Sequence, residues 1–257
     1  MNDPLVLGGE AFESRLMMGS SRFPSPQTML EALRAAEAQI VTVSVRRLNL
    51  AQKQATFLDA LSGFKLLPNT AGCRTARDAV FTAELAREAL STSWVKVEVI
   101  ADDETLLPDG VELVKACAEL LKLGFTVLPY CPDDPALCKR LADMGCAAVM
   151  PLAAPIGSGL GIRNPHALAM IRRMCEVPVV VDAGVGTASD AAVAMELGCD
   201  AVLLNTAVAR AQNPVLMAEA MKWAVRAGRA AFLAGRIAPV SFARPSTPLE
   251  GVASPWP

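Results

Sequence analysis

The chain has 257 residues, of which 53% are hydrophobic and 19% are charged, and its formal net charge is -2. This length accommodates one large α/β domain or two small ones, with room for a sizeable core in either case. The weakly acidic balance, the absence of a basic run and the single tyrosine argue against nucleic acid or an anionic membrane as the main partner.

The N-terminal sequence and the cysteines predict a reduced, cytoplasmic protein. Met1-Asn2-Asp3-Pro4 lacks the basic stretch and following apolar run of a signal peptide, and no apolar segment is long enough to span a bilayer. The cysteines number seven, which is odd, and Cys131, Cys138 and Cys146 match no zinc-site spacing. We therefore expect the cysteines to be small core residues rather than metal ligands.

In chain order, a predicted hairpin at Leu5–Phe12 is followed by a regular alternation of strands and helices. The predicted strands are Leu16–Gly19, Ile40–Val45, Lys65–Asn69, Trp94–Ile100, Thr126–Cys131, Ala147–Leu152, Val179–Ala183 and Ala201–Thr206. The predicted helices are Pro26–Ala38, a short one within Leu48–Phe64, Thr75–Leu90, Asp109–Lys122, Pro135–Met144, Pro165–Met174, Ala188–Leu197 and Pro214–Ala227.

Helix punctuation supports these boundaries. Prolines stand in the first turn of several helices, each after a residue that can cap a helix N-terminus. Glycines follow several helix ends, where a left-handed residue is favoured. The cap–proline pairs are Ser25-Pro26, Asp134-Pro135, Asn164-Pro165 and Asn213-Pro214, and the terminal glycines are Gly124, Gly145, Gly198 and Gly228.

Strand–helix alternation repeated eight times is typical of a single (β/α)₈ TIM barrel. We predict that residues 1–240 form this barrel with its short N-terminal hairpin, and that residues 241–257 form a tail rich in proline and serine. The short, continuous, valine-rich strands are those of a parallel sheet covered on both faces. A doubly wound sheet is the alternative, but no glycine fingerprint follows its first strand.

The strand Trp94–Ile100 carries two charged residues on one face. Period-two alternation places the three intervening valines on one side and Trp94, Lys96, Glu98 and Ile100 on the other. One interpretation is a half-exposed strand whose charges lie in water. The alternative is a strand buried on both faces, in which a desolvated Lys96 would have a depressed pKa and could attack a carbonyl to form an imine.

In a TIM barrel, function resides at the C-terminal ends of the strands. Asp182 ends the seventh barrel strand and, if it is not simply a buried structural aspartate, completes an acid–base set with Glu98 around Lys96. The loop Gly157–Gly161 is flexible enough for backbone contact with a ligand, although a hinge or oligomer contact is equally compatible. The residues predict a barrel enzyme that acts on a small phosphorylated carbonyl compound through a lysine imine.

The loops after the seventh and eighth barrel strands are the usual phosphate site of this fold. Gly184 and Gly186 would let backbone N–H groups approach the anion, and the helix that starts near Ser189 and Asp190 would add its dipole. Asn205 and Thr206 could add side-chain donors. The alternative is that these glycines serve only as tight turns.

Five long segments resemble bacterial thiazole synthase, the barrel enzyme that builds the thiazole phosphate of thiamine. They are LLPNTAGCRTA (Leu66–Ala76), SWVKVEVI (Ser93–Ile100), CAAVMPLAAPIGSGLGIRNP (Cys146–Pro165), VVVDAGVGTASDAAVAMELGCDAVLLNTAVA (Val179–Ala209) and LAGRI (Leu233–Ile237). The resemblance covers nearly the whole chain. One departure is the loop Gly19-Ser20-Ser21-Arg22-Phe23, where the family usually reads close to GTGKY.

The resemblance implies a sulfur-transferring transferase. In that family the lysine matching Lys96 forms an imine with 1-deoxy-D-xylulose 5-phosphate, and the carboxylates matching Glu98 and Asp182 move protons. The positions that match the sugar-phosphate site are Gly157, Ala183, Gly184, Asn205 and Thr206. The resemblance further implies dehydroglycine as a substrate, no metal or organic cofactor, and a homotetramer. It also implies a ubiquitin-like sulfur-carrier partner with a C-terminal thiocarboxylate.

Two other functions remain compatible with the same residues. A class I aldolase would share Lys96 and the phosphate loops but would need no sulfur carrier. A catalytically inactive barrel that scaffolds an assembly is disfavoured by the lysine, the carboxylates and the phosphate loops. Arg46 and Arg47 could meet an acidic carrier or form a salt bridge beside a helix.

Overall fold

This computed structural model describes residues 3–44 and 53–246. Within them lie ten strands, of which eight form a parallel barrel. The strands are β1 (Leu5–Leu7), β2 (Glu10–Phe12), β3 (Leu16–Gly19), β4 (Ile40–Ser44), β5 (Lys65–Asn69), β6 (Trp94–Val97), β7 (Thr126–Cys131), β8 (Met150–Pro151), β9 (Val180–Asp182) and β10 (Ala201–Leu204). Val45, Arg46, Arg47, the start of the predicted Leu48–Phe64 segment and residues 247–257 of the predicted tail lie outside the described residues.

The helices alternate with the barrel strands. They are α1 (Pro26–Ala35), α2 (Lys53–Ala60), α3 (Ala76–Leu90), α4 (Gly110–Lys122), α5 (Pro135–Asp143), α6 (Pro165–Met174), α7 (Ala188–Glu196), α8 (Thr206–Ala209) and α9 (Pro214–Ala234). The capping residues predicted from the sequence act as N-caps: the side chains of Ser25, Asp134, Asn164 and Asn213 each accept hydrogen bonds from first-turn amides. No helix in the described part of the chain combines the length and the apolar character that a bilayer crossing requires.

The parallel strands close on themselves. Their order is β8-β7-β6-β5-β4-β3-β10-β9, and bridges between Val149 and Val179 and between Leu152 and Asp182 join the two ends of this order. The amide of Val149 donates to the Pro178 carbonyl at 3.0 Å, and the amide of Val180 donates to the Val149 carbonyl at 2.9 Å. The predicted TIM barrel and the predicted N-terminal hairpin are therefore confirmed.

Gly228 does not follow a helix end as predicted, and the first predicted helix, Pro26–Ala38, ends early at Ala35. Gly228 marks the larger difference. It lies inside α9, which continues to Ala234 and ends at Gly235 in a left-handed conformation with φ 75°. A Cβ on Gly228 would come within 2.4 Å of the Ala192 carbonyl oxygen, so this glycine permits close packing of α9 on α7. Close approach between helices and helix termination both select glycine, and the sequence pattern alone does not separate them.

The two faces of β6 belong to two different cores. Val95, Val97 and Val99 pack in the cluster between the barrel and the surrounding helices. Trp94 lies inside the barrel in a second cluster, together with the hairpin residues Leu5, Leu7 and Phe12 and inward residues of the other strands. The hairpin therefore closes the N-terminal end of the barrel with apolar side chains, and the polar residues of β6 lie toward the opposite end.

Candidate active site

Lys96 lies inside the barrel between two carboxylates. Its Nζ is 3.2 Å from Glu98 Oε1 and 2.5 Å from Asp182 Oδ2, and the three side chains are 7% exposed or less. Asp182 Oδ2 has no hydrogen-bond partner of acceptable geometry among the described residues, so its contact with Lys96 is an ion pair rather than an aligned hydrogen bond. The half-exposed interpretation of this strand is wrong, because both of its faces are buried.

The carboxylates reverse the expected pKa shift of Lys96. Burial alone lowers the pKa of this ammonium, but the negative charges of Asp182 and Glu98 outweigh burial, so the pKa lies above its usual value. Burial raises the pKa of Asp182, and Lys96 offsets only part of that effect. The expected depressed lysine pKa is therefore wrong, and Lys96 must pass a proton to a neighbour before it can act as a nucleophile.

Tyr130 packs beside the lysine at the end of β7. Its ring centroid lies 5.6 Å from Lys96 Nζ, within the range of a cation–π interaction. Its hydroxyl donates to the Leu106 carbonyl at 3.4 Å. Burial raises the pKa of the Tyr130 phenol, and the charges of Asp182 and Glu98 add to that effect, so the phenol stays neutral.

The three side chains open into a cavity of about 750 Å³ at the C-terminal end of the strands. All eight predicted site residues line it, namely Lys96, Glu98, Asp182, Gly157, Ala183, Gly184, Asn205 and Thr206. A cavity of this size fits a small metabolite and leaves room for a second reactant. The asymmetry between strand ends that the sequence shows therefore corresponds to a real opening.

Two loops on one side of the cavity are packed backbone against backbone. Ala183 and Gly184 follow β9 with φ 67° and 74°, and Gly157 in the preceding loop has φ 75°. A Cβ on Gly184 would lie 2.4 Å from the Ala154 amide nitrogen, and the Gly161 amide donates to the Gly184 carbonyl at 2.9 Å. Ala183 holds a left-handed conformation that is uncommon for a residue with a side chain. Such strain is typical of ligand sites.

The N-terminus of α7 differs from the predicted phosphate cradle. Asp190 Oδ2 accepts the amides of Gly186 and Thr187 at 2.9 and 3.0 Å in a capping box. Gly186 instead allows close packing, because a Cβ there would lie 2.4 Å from the Gly159 carbonyl oxygen. The chain's own carboxylate therefore engages these two amides, and a phosphate contact from this loop and helix stays a prediction.

The Asn205 side chain links the loop after β10 to the loop after β3. Its Nδ2 donates to the Ser21 carbonyl at 3.0 Å and lies 3.1 Å from Ser21 Oγ. Because a carbonyl can only accept, this contact fixes the orientation of the amide. The side-chain donor expected for a ligand is thus already engaged. Thr206 lies beside the loop that contains Gly157, with its Oγ1 3.8 Å from the position that a Cβ on Gly157 would take.

Several cavity residues were not predicted as functional from the sequence. They are Arg22, Arg74 and Arg210, which line the opening. Thr70 was not predicted either; it does not line the cavity but is buried against the backbone of Lys96 and Glu98. Arg74 is ion-paired with Asp103. Thr70 and Arg22 stand in strand-end segments, whose position indicates function. Arg210 follows α8, a short helix that the sequence pattern does not predict.

Among the described residues, no three His, Cys, Asp or Glu side chains are grouped so as to hold a metal ion.

Comparison with known proteins shows relatives that match almost the whole chain. The profile of the family described as thiazole biosynthesis protein ThiG matches residues 6–248. A thiazole synthase from Geobacter sulfurreducens is 58% identical over 253 residues, which are 97% of each chain. A thiazole synthase from Methylobacterium sp. is 57% identical over 251 residues, covering 98% of this chain and 95% of that one.

Two solved structures superpose on most of the chain. A chain in the Amycolatopsis orientalis BexX/CysO complex superposes with a TM-score of 0.85 at 33% identity, over 94% of this chain and 100% of that one. Thiamine phosphate pyrophosphorylase from Pyrococcus furiosus has a TM-score of 0.58 at 12% identity, which shows a shared fold alone. Because the family profile and the relatives extend over almost the whole sequence, this chain belongs to the thiazole biosynthesis protein ThiG family.

Proposed function

We propose that this chain joins 1-deoxy-D-xylulose 5-phosphate, dehydroglycine and carrier-bound sulfur into the thiazole phosphate of thiamine, through an imine on Lys96. Membership of its family makes the chain an enzyme of thiamine thiazole biosynthesis. The substrates, the sulfur source and the covalent step are the proposal. The observation that carries it is Lys96 itself, the only lysine among the described residues that line the cavity, buried between two carboxylates.

Asp182 is the group best placed to activate the lysine. It is the nearer carboxylate, and its raised pKa makes it a better proton acceptor than an ordinary aspartate. As a ketone enters, the ammonium passes one proton to Asp182, and Nζ bonds to the carbonyl carbon. The carbonyl oxygen then leaves as water with two protons, one returned by Asp182 and one from the nitrogen. The product is a protonated imine on Lys96.

Glu98 is positioned for the next proton transfer. Its Oε1 lies 3.2 Å from Nζ on the same face of the strand, so it can reach a carbon attached to the imine carbon. Removal of a proton from that carbon yields an enamine, which lets the carbonyl function move along the sugar chain. We assign this step to Glu98 and the activation of the amine to Asp182.

The phosphate group would bind at the glycine-rich side of the cavity. Gly157, Ala183 and Gly184 have left-handed backbones that expose peptide groups, and Asn205 and Thr206 begin the facing loop. Because the Asn205 side chain is tied to Ser21, its contribution would come from the backbone. Peptide N–H groups arranged around a concave loop are a common way to bind phosphate.

The mouth of the barrel also suits a protein partner. The similar BexX chain was solved in complex with CysO, which supports a proposal that this chain receives sulfur from a small carrier protein with a C-terminal thiocarboxylate. A carrier tail could reach Lys96 only through the open C-terminal end, because the hairpin closes the other end. We further propose a cytoplasmic homotetramer.

Borohydride trapping tests the imine. The protein is incubated with 1-deoxy-D-xylulose 5-phosphate, reduced, digested and mapped by mass spectrometry. We expect an adduct on Lys96 that is lost in Lys96→Ala and retained in Lys65→Ala, whose lysine lies at the opposite end of the barrel. Bound sugar phosphate without an adduct would show that the lysine is structural.

Sulfur dependence separates thiazole formation from aldol chemistry. Unreduced enzyme is incubated with 1-deoxy-D-xylulose 5-phosphate and a dehydroglycine source, with or without carrier thiocarboxylate, and products are followed by mass spectrometry. We expect the thiazole phosphate only with the carrier present. Cleavage of the sugar phosphate in the absence of the carrier would identify an aldolase instead.

A further inference from the structure

The backbone of Glu98 is held by a single side chain from the neighbouring strand end. Thr70 Oγ1 donates to the Glu98 carbonyl and accepts from the Glu98 amide, each at 2.8 Å. Thr70 is fully buried, and its own amide donates to the Lys96 carbonyl at 3.1 Å. One residue therefore contacts the backbone of both Lys96 and Glu98.

Glu98 needs this support because the strand ladder stops before it. β6 ends at Val97, and its pairing with β5 consists of the Asn69–Lys96 pair alone. The residue after a strand end is free to take several backbone conformations, and each would direct the Glu98 side chain elsewhere. The Thr70 hydroxyl replaces the missing ladder bonds and satisfies two buried polar groups at once.

We infer that Thr70 is a positioning residue that fixes the backbone of Glu98 and so directs its carboxylate at the reacting carbon beside Lys96. This inference rests on the proposed function, because it assigns Thr70 to the proton transfer after imine formation. Small displacements of a reacting group are costly in rate. The loss of the hydroxyl should therefore slow that transfer without affecting the binding of the sugar phosphate.

Four single variants isolate the effect of the Thr70 hydroxyl. Thr70→Val removes it with little change in shape, and Thr70→Ser keeps it. Thr82→Val is the matched control, because Thr82 is also buried but its hydroxyl lies 3.3 Å from Cys73 Sγ and does not contact Glu98. Thr70→Ala is a second variant without the hydroxyl, which leaves room for a water at the two backbone groups if Thr70→Val does not fold.

Deuterium exchange separates the steps. The enzyme is incubated with 1-deoxy-D-xylulose 5-phosphate in D₂O, and exchange at carbons beside the carbonyl is followed by NMR. Adduct yield and sugar-phosphate Kd are measured alongside. For Thr70→Val we expect exchange to fall by about 10- to 100-fold, with Kd and adduct yield within about threefold of wild type. Thr70→Ser should restore most of the exchange, and Thr82→Val should exchange as wild type does.

A double variant tests whether Thr70 acts through Glu98. In a Glu98→Gln background, the further change Thr70→Val should alter exchange by less than about twofold, because the group that it positions is already removed. Multiplicative effects would overturn the inference.

Two other results would also overturn it. One is a deuterium-exchange rate in Thr70→Val equal to that of the wild type. The other is an equal loss of sugar-phosphate binding, adduct yield and exchange, which would mean that Thr70 supports the structure of the whole cavity. A wild-type chain with no adduct on Lys96 would overturn the proposed function and this inference together, whereas an adduct with unaltered exchange in Thr70→Val overturns this inference alone.

Discussion

The two ends of the barrel differ in their access to water, although one inward face of β6 extends from one end to the other. At the base, Trp94 packs edge to face on Phe12 with ring centroids 6.0 Å apart, among side chains that exclude water. Two residues further along the same face, Lys96 stands between Asp182 and Glu98 below the open cavity. The hairpin closes one end, so polar chemistry is confined to the other.

Two lysines make the contrast sharper. Lys65, near the base, lies 4.5 Å over the Trp94 ring and 2.5 Å from Glu10 Oε1, with its side chain 29% exposed. Lys96 is 7% exposed and has two carboxylates. Exposed ion pairs contribute little, whereas a buried charge depends strongly on its partners. Both residues are lysines, so burial and the number of carboxylate partners distinguish the candidate catalytic lysine, Lys96, from Lys65.

The largest expected effect comes from removing the enclosed amine. Lys96→Ala should lower thiazole formation by about four orders of magnitude, because no other lysine among the described residues lines the cavity. Lys65→Ala should keep activity within about threefold of wild type. Steady-state rates with all three substrates measure both variants, and similar losses in the two would abolish the distinction between the lysines.

Asp182→Asn should lower the rate of borohydride-trappable imine formation by about 10²- to 10³-fold, because the proton acceptor nearest Nζ is lost. The same change removes one of the two charges that raise the pKa of Lys96, so that pKa falls. More of the amine is then neutral at a given pH, and the acidic limb of the pH–rate profile should move to lower pH. Trapping rates measured across pH test this, and an unmoved limb would contradict it.

At the base, Leu7→Ala should cost about 2–5 kcal/mol in the free energy of unfolding, because a fully buried side chain is removed from the core. Its effect on turnover of the folded protein should be small. Val6, its 53% exposed neighbour in β1, supplies the control. Val6→Ala should change the free energy by less than about 0.5 kcal/mol in urea titration. A large loss of turnover in folded Leu7→Ala would show that the two ends are coupled.

The smallest expected effect is on sugar-phosphate affinity, and alanine substitutions at two glycines test it. Gly184 at the mouth and Gly124 after α4 have nearly the same φ, 74° and 76°, so alanine strains the backbone similarly at both, by about 1 kcal/mol. Only at Gly184 does a Cβ meet other atoms, 2.4 Å from the Ala154 amide nitrogen. Gly184→Ala should weaken sugar-phosphate binding by about tenfold and Gly124→Ala should not. Calorimetric titration measures both, and equal affinities would remove Gly184 from the site.

Much of the architecture was predictable because its signals are local. The caps, the helix punctuation and the valine-rich runs predicted every barrel strand and most helix ends. The predicted strand Ala201–Thr206 nevertheless ends at Leu204, because Asn205 leaves the extended conformation and begins α8. Gly228 was assigned to a helix end because its reason for being glycine lies on α7 rather than on its own helix.

The sequence by itself determined the order of the elements, the single strand face shared by Trp94, Lys96 and Glu98, and the end of the barrel that opens into the cavity. Those follow from strand periodicity and from the geometry of parallel strands. The tertiary structure alone decided the direction of the Lys96 pKa, the Thr70 contact with Glu98, and the engagement of Asn205 and Gly186 by other residues. Each of these depends on distances between atoms of different residues, several of them far apart in the chain, and electrostatic and hydrogen-bond energies change steeply with distance.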